Sequence, residues 1–170
     1  PNTYYANLEN KGKFGILESV RNEVFLMFYP EKASQSNGEI DKFGASDVLD
    51  LNWVQLMNAY SCTECGRCTS ECPAHLTGKK LSPRKIMMDT RDRLEKVSKN
   101  ITSNKGNFVD DGDRLLDNYI TKEELWACTS CNACVEACPI NIDPLSIIMD
   151  MRQFLIMEES SAHPDLNNMM

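Results

Sequence analysis

The sequence predicts an all-α fold made of two copies of one unit, helix–cysteine loop–helix. Three observations predict it. Cys62, Cys65, Cys68 and Cys72 precede Pro73, and Cys128, Cys131, Cys134 and Cys138 precede Pro139, so the spacing C-x2-C-x2-C-x3-C-P occurs twice at an offset of 66 residues. The segments after the runs also match, at an offset of 61. Pro83, Ile86, Met88, Asp89, Arg91 and Leu94 correspond to Pro144, Ile147, Met149, Asp150, Arg152 and Leu155. Finally, no stretch keeps the alternation of a strand for long.

Each element has its own signal. Pro1 to Phe14 is polar and aromatic with no period. From Ile16 to Tyr29, Ile16, Val20, Val24, Met27 and Phe28 recur at helical spacing, and Pro30 ends that helix. Glu31 to Gly44 reads as a polar linker. Residues 1–45 are thus an extension, 46–166 the duplicated domain and 167–170 a tail. Asp47 or Asp50 is the expected cap of a helix running through Trp53, Leu56 and Met57 into the first run. Ser82-Pro83 and Asp143-Pro144 each set a capping side chain before a proline at the first helical position. The first of these helices is expected to reach about Val97. A polar loop from Asn100 to Gly112 follows, then a helical segment through Leu115, Leu116 and Tyr119. Thr121 and Glu124 form a capping box for the helix entering Cys128. The first copy carries five extra residues within Ala74 to Leu81.

All eight cysteines lie in the two runs. Zinc favours four ligands in one tetrahedral set, commonly two C-x2-C pairs. Three cysteines in seven residues, then a fourth before proline, is instead the run that holds a [4Fe–4S] cubane in bacterial ferredoxins. Cysteines at i, i+3 and i+6 bring three sulfurs to three corners of a cubane. Gly66 and Asn132 hold equivalent places and both tolerate the left-handed backbone a wrapped loop needs. Resemblance to two-cluster ferredoxins implies that each fourth cysteine crosses over. One cluster would take Cys62, Cys65, Cys68 and Cys138; the other would take Cys128, Cys131, Cys134 and Cys72. These thiols are expected reduced and on the cytoplasmic side, as ligands rather than crosslinks.

With 55 residues between Cys72 and Cys128, the chain departs from small α/β ferredoxins. It resembles the α-helical ferredoxin superfamily, which includes the C-type subunit of heterodisulfide reductase and the iron–sulfur subunit of anaerobic glycerol-3-phosphate dehydrogenase. Ser82-Pro83-Arg84-Lys85 resembles the heterodisulfide reductase branch. The succinate dehydrogenase branch replaces one cysteine, and here all eight stand. The chain is most similar to the dicluster part of large bacterial (Fe–S)-binding oxidoreductases. These join a haem-bearing membrane segment and cysteine-rich CCG domains, and pass electrons between donors such as electron-transfer flavoprotein and the quinone pool. That resemblance implies two [4Fe–4S] clusters relaying electrons inside a larger protein at the inner face of a membrane. The alternative is an independent member of a soluble heterodisulfide reductase-like or glycerol-3-phosphate dehydrogenase-like complex. Neither a CCG motif nor haem ligands occur here, and no Ser–His–Asp set or phosphate loop supports turnover by this chain itself.

The formal charge of −7 over 170 residues argues against nucleic acid as a partner. Two clusters would bring it to roughly −11. The longest apolar run, Val24 to Tyr29, is far short of the roughly 20 residues of a membrane span. Arg67, Lys79, Lys80, Arg84 and Lys85 gather near the first run, as a docking patch, as a charge that raises the potential of the first cluster, or as a solvated helix start balancing carboxylates. Arg91 and Arg152 are expected to pair with carboxylates near Asp89 and Asp150. Tyr60 and Trp126 read as cluster shields or core residues. His75 and His163 read as surface residues.

Overall fold

A computed structural model describes residues 42–161, together with Val24 and residues 27–29. The rest of the expected helix at 16–29, most of the linker, His163 and the tail lie outside the described residues. Val24, Met27 and Phe28 are helical and exposed. Among the described residues there are helices and no regular strand; a single bridge joins Leu116 and Ile120. The domain is all-α, as its sequence predicts.

A 3-10 turn, Val48–Asp50, leads to α1 (Trp53–Ser61). The first cysteine run carries two single turns, α2 (Arg67–Ser70) and α3 (Pro73–Leu76), before the long α4 (Pro83–Ser103). A kinked turn, α5 (Leu115–Asn118), and α6 (Lys122–Ala127) precede the second run. That run carries α7 (Ala133–Glu136) and ends in α8 (Pro144–Met157). Helices α1, α4 and α8 pack on one another, while α2 packs on α7, so the two cysteine loops meet. Ile86, Met87, Ile147, Ile148, Met151 and Leu155 fill the space between the long helices and are buried. Ile86 and Ile147 are repeat-equivalent, so the duplication supplies both sides of the core.

The caps explain where the helices start. Ser82 accepts from the Lys85 amide at 3.3 Å and Asp143 from the Ser146 amide at 3.2 Å. Thr121 and Glu124 form the expected capping box. The expected cap of α1 needs correction. Asp47 and Asp50 close the 3-10 turn, and Asn52 caps α1 in a reciprocal box with Gln55. Helix α4 also runs past Val97 to Ser103. No glycine or proline interrupts it until Lys105 and Gly106 take left-handed backbone and the Gly106 amide closes back on the Ile101 carbonyl at 2.9 Å. The segment through Leu115, Leu116 and Tyr119 is not a regular helix. Leu116 is extended and Asp117 has φ 73°, because the Leu116 amide is drawn to the Ser46 carbonyl at 3.1 Å.

Two tertiary joints hold the entry segment to the bundle. Arg93 on α4 is fully buried and binds Asp47 through Nε (2.9 Å) and Nη2 (2.6 Å), Asp111 through Nη1 (2.6 Å), and the Asp113 carbonyl (2.5 Å). Asp47 also accepts from the Leu115 amide at 3.1 Å, so one guanidinium ties the entry turn to the interrepeat loop. The second joint is Gly44, placed in the linker by its sequence context, whose backbone lies directly on α8. A Cβ there would stand 2.3 Å from the Asp150 carbonyl oxygen and 2.5 Å from the Phe154 nitrogen, at φ +75°. Next to it, the Ala45 amide donates to the Asp150 carbonyl at 3.1 Å.

Arg93→Ala is expected to cost about 3 kcal/mol, the low end for breaking a buried pair, because both carboxylates keep some water. Gly44→Ala is expected to cost about 1–3 kcal/mol through overpacking against a helix backbone. Urea unfolding followed by circular dichroism on anaerobic holo protein measures both.

Candidate metal centre

The two cysteine loops are wound alike. Helix α1 ends at Cys62 and α6 at Cys128, both in extended backbone. Two left-handed residues then coil each loop: Glu64 (φ 57°) and Gly66 (φ 81°) in the first, Ser130 (φ 56°) and Asn132 (φ 62°) in the second. Gly66 and Asn132 were legible in the sequence. Glu64 and Ser130 were not, because neither residue type advertises that conformation. The Gly66 and Asn132 carbonyls each accept two amides from the following turn, which presents Cys68 or Cys134. The copies diverge after the fourth cysteine. Pro73 opens α3, which with the Gly78 turn accommodates the extra residues, whereas Pro139 opens only a turn and the Ile142 amide donates to Cys138 Sγ at 3.3 Å.

Two cavities lie where the loops meet. The first is lined by Cys62, Cys65, Cys68, Cys134 and Cys138, with Arg84 at its wall. The second is lined by Cys72, Cys128, Cys131 and Cys134, backed by Leu81 and Ile148. Each cavity thus gathers the first three cysteines of one run and the fourth of the other. Cys134 reaches both.

All eight cysteines are free thiols. Burial, then the nearby Cys128 and Asp143, pushes the Cys134 thiol up to about 12. Burial also raises Cys68, where Cys62, Cys138 and Cys65 add repulsion. Cys131 is exposed and goes the other way, lowered chiefly by the Ala133 amide and then by the Thr129 hydroxyl. Thiols crowded in this way ionise together only beside a strong positive charge, which iron supplies. Among the described residues, no three of the His, Cys, Asp and Glu side chains converge on a single ion. The cysteines line the two cavities described above. The Ser130 amide, 3.4 Å from Cys128 Sγ, adds a donor of the kind that stabilises metal-bound thiolate.

Around this centre the charged residues sort themselves. The pairing expected for Arg91 and Arg152 is corrected: the carboxylate that binds Arg91 is Glu64, not Asp89, and Arg152 is held by carbonyls rather than by Asp150. Each reaches back to the carbonyl of the first cysteine of its own run, Arg91 to Cys62 at 3.5 Å and Arg152 to Cys128 at 2.5 Å. Asp89 pairs with Lys85 at 3.1 Å, and Asp150 accepts from Gln55 at 2.5 Å. Lys80 pairs with Glu123, and Lys85 also with Glu124, so these two lysines balance carboxylates. Arg67, Lys79 and Arg84 stay exposed. Tyr60 is half exposed rather than packed in the core, and Trp126 lies under the Arg152 guanidinium at 5.1 Å. His75 is exposed.

Fold and site define an iron–sulfur electron-transfer domain with two [4Fe–4S] clusters, and comparison with known proteins agrees. Residues 61–142 match the model of the 4Fe-4S dicluster domain, and the proteins similar to this chain include C-type subunits of heterodisulfide reductase. It is 28% identical to the "Probable iron-sulfur-binding oxidoreductase FadF" of Bacillus subtilis, over 99% of this chain and 26% of that protein. It is 29% identical to the EtfAB:quinone oxidoreductase of Syntrophomonas wolfei, over 70% of this chain and 19% of that protein. With the C-type subunit of a CoB-CoM heterodisulfide reductase of Methanosarcina acetivorans it shares 29% identity, over 67% of this chain and 56% of that polypeptide. The chain therefore spans about a quarter or less of the first two relatives. No solved structure matches it.

Removing iron and sulfide anaerobically is expected to leave thiols of very unequal reactivity. At pH 8, Cys131 should alkylate well before Cys134, since a thiol lowered and exposed presents far more thiolate than one held near 12. Timed alkylation read by peptide mass spectrometry ranks the two.

Proposed function

We propose that the domain relays single electrons between two clusters of crossed ligation, inside a larger oxidoreductase at the inner face of a membrane. Cys62, Cys65, Cys68 and Cys138 hold one cluster; Cys128, Cys131, Cys134 and Cys72 hold the other. The observation that carries this reading is the composition of the two cavities, each lined by the first three thiols of one run and the fourth of the opposite run. Short separation of the two sites follows from the packing of α2 on α7, and favours stepwise transfer.

The chain's own residues provide thiolate ligands, amide donors to sulfur and apolar walls that limit water. When bound, the clusters supply one-electron chemistry. Electron-transfer flavoprotein as donor and quinone as acceptor are supported by the relative named EtfAB:quinone oxidoreductase, and in this reading haem-bearing and CCG-type parts of the larger protein connect them. A further relative is named "Probable membrane-anchored ferredoxin", in keeping with the membrane placement. No described helix is long and apolar enough to cross a membrane, so this reading puts the anchor in another part of the protein. The heterodisulfide reductase relatives, of which the chain covers over half, favour one rival: a separate polypeptide of such a complex. The mass of the native polypeptide separates the two.

Cys72→Ser should perturb the cluster of the second run, and Cys138→Ser that of the first. Iron counts and electron paramagnetic resonance of the reduced variants read this out. Damage confined to the mutated run's own cluster excludes crossed ligation.

A further inference from the structure

The two copies differ in charge at the one place where a guanidinium meets each cysteine loop. Arg91 and Arg152 occupy equivalent positions on α4 and α8, and each donates to the carbonyl of the first cysteine beside it. In the first copy the Glu64 carboxylate ion-pairs with Arg91. In the second copy the equivalent residue is Ser130, whose hydroxyl lies 3.4 Å from Arg152 Nη1. The other Arg152 partners are neutral: the Leu125 carbonyl at 2.5 Å from Nη2 and 3.0 Å from Nε, and the Trp126 ring. Glu64 and Ser130 share the same left-handed backbone, at φ 57° and 56°, so one substitution between the copies accounts for the difference.

Reduction adds a negative charge to a cluster, and a fixed cation nearby stabilises the reduced form. Arg152 is half-buried, so water screens it only in part. Among the described residues, no carboxylate pairs with Arg152.

We propose that positions 64 and 130 tune the two clusters separately. Arg152 acts on the second run's cluster as an uncompensated cation and raises its potential. Glu64 cancels the corresponding effect of Arg91 on the first. The proposal rests on the ligand reading above only in placing Cys62 and Cys128 on different clusters. Arg84 at the first cavity and the buried Asp143 beside the second loop add charges of their own. Those stay constant when only positions 64 and 130 are exchanged.

The test is a redox titration of anaerobic holo protein, followed by electron paramagnetic resonance at low, fixed ionic strength, with iron and sulfide counts. Glu64→Ser should raise one midpoint and Ser130→Glu should lower the other. The double exchange should show both shifts. Each shift should change that cluster's reduced-to-oxidised ratio several-fold at fixed potential, tenfold corresponding to about 59 mV for one electron. The wave lowered by Ser130→Glu should be the one whose spectrum Cys131→Ser alters. Unmoved midpoints with both clusters retained would overturn the proposal, as would shifts of the same sign or shifts of the same wave. If Ser130→Glu fails to assemble, Glu64→Ser decides: a raised midpoint supports the proposal and an unmoved one overturns it. Failure of the ligand reading is distinguishable, because it changes the pattern of iron loss in the Cys72 and Cys138 variants rather than midpoints at full iron content.

Discussion

The meeting of two cysteine loops, with the Cys72 thiol buried and five others partly buried, is the constraint around which this domain is arranged. The two cysteine loops meet where α2 packs on α7, and burial raises the Cys68 and Cys134 thiols above the ordinary value. Such a centre is unfavourable without a positive ion and strongly favourable with one, so metal binding and folding are coupled. The helices contribute what the sulfurs cannot: a core of Ile86, Met87, Ile147, Ile148 and Leu155 that brings the loops together. In the proposed crossed arrangement each cluster would join both copies, and the metal would complete what the apolar core begins.

Duplication supplies the frame, and departures from it supply the differences. Both loops use the same two left-handed positions, and both following helices send an arginine back to the first cysteine. After the fourth cysteine the copies part, with α3 on one side and a tight turn at Asn141 on the other. Arg93 has no equivalent in the second copy, where Phe154 occupies the matching position. It serves instead to fasten the entry turn and the long connection to α4.

Much of this was legible in the residues because the signals are local. Cysteine spacing, Ser82-Pro83, Asp143-Pro144 and the Thr121–Glu124 box each act within a few positions, and each appears as read. The misreadings share a cause: partners distant in sequence. The carbonyls bound by Arg91 and Arg152 lie 29 and 24 residues away, and no local rule favours a backbone carbonyl over an adjacent aspartate. Leu116 leaves helical geometry for a bond to Ser46, and Gly44 looks like linker until α8 is laid across it. Asn52 carries no stronger local signal than Asp47 and Asp50 before it, either of which could cap a helix.

The middle cysteine of each run, Cys65 and Cys131, is exposed, while Cys72 is buried. Tunnelling probability falls steeply with distance, so whatever touches either loop is close to an exchangeable electron. The domain is in effect a wire with both tips bare. In the proposed relay, a donor at one loop and an acceptor at the other would exchange electrons without any moving part. The same nakedness admits dioxygen, so protection from air falls to whatever covers those tips in the assembled protein.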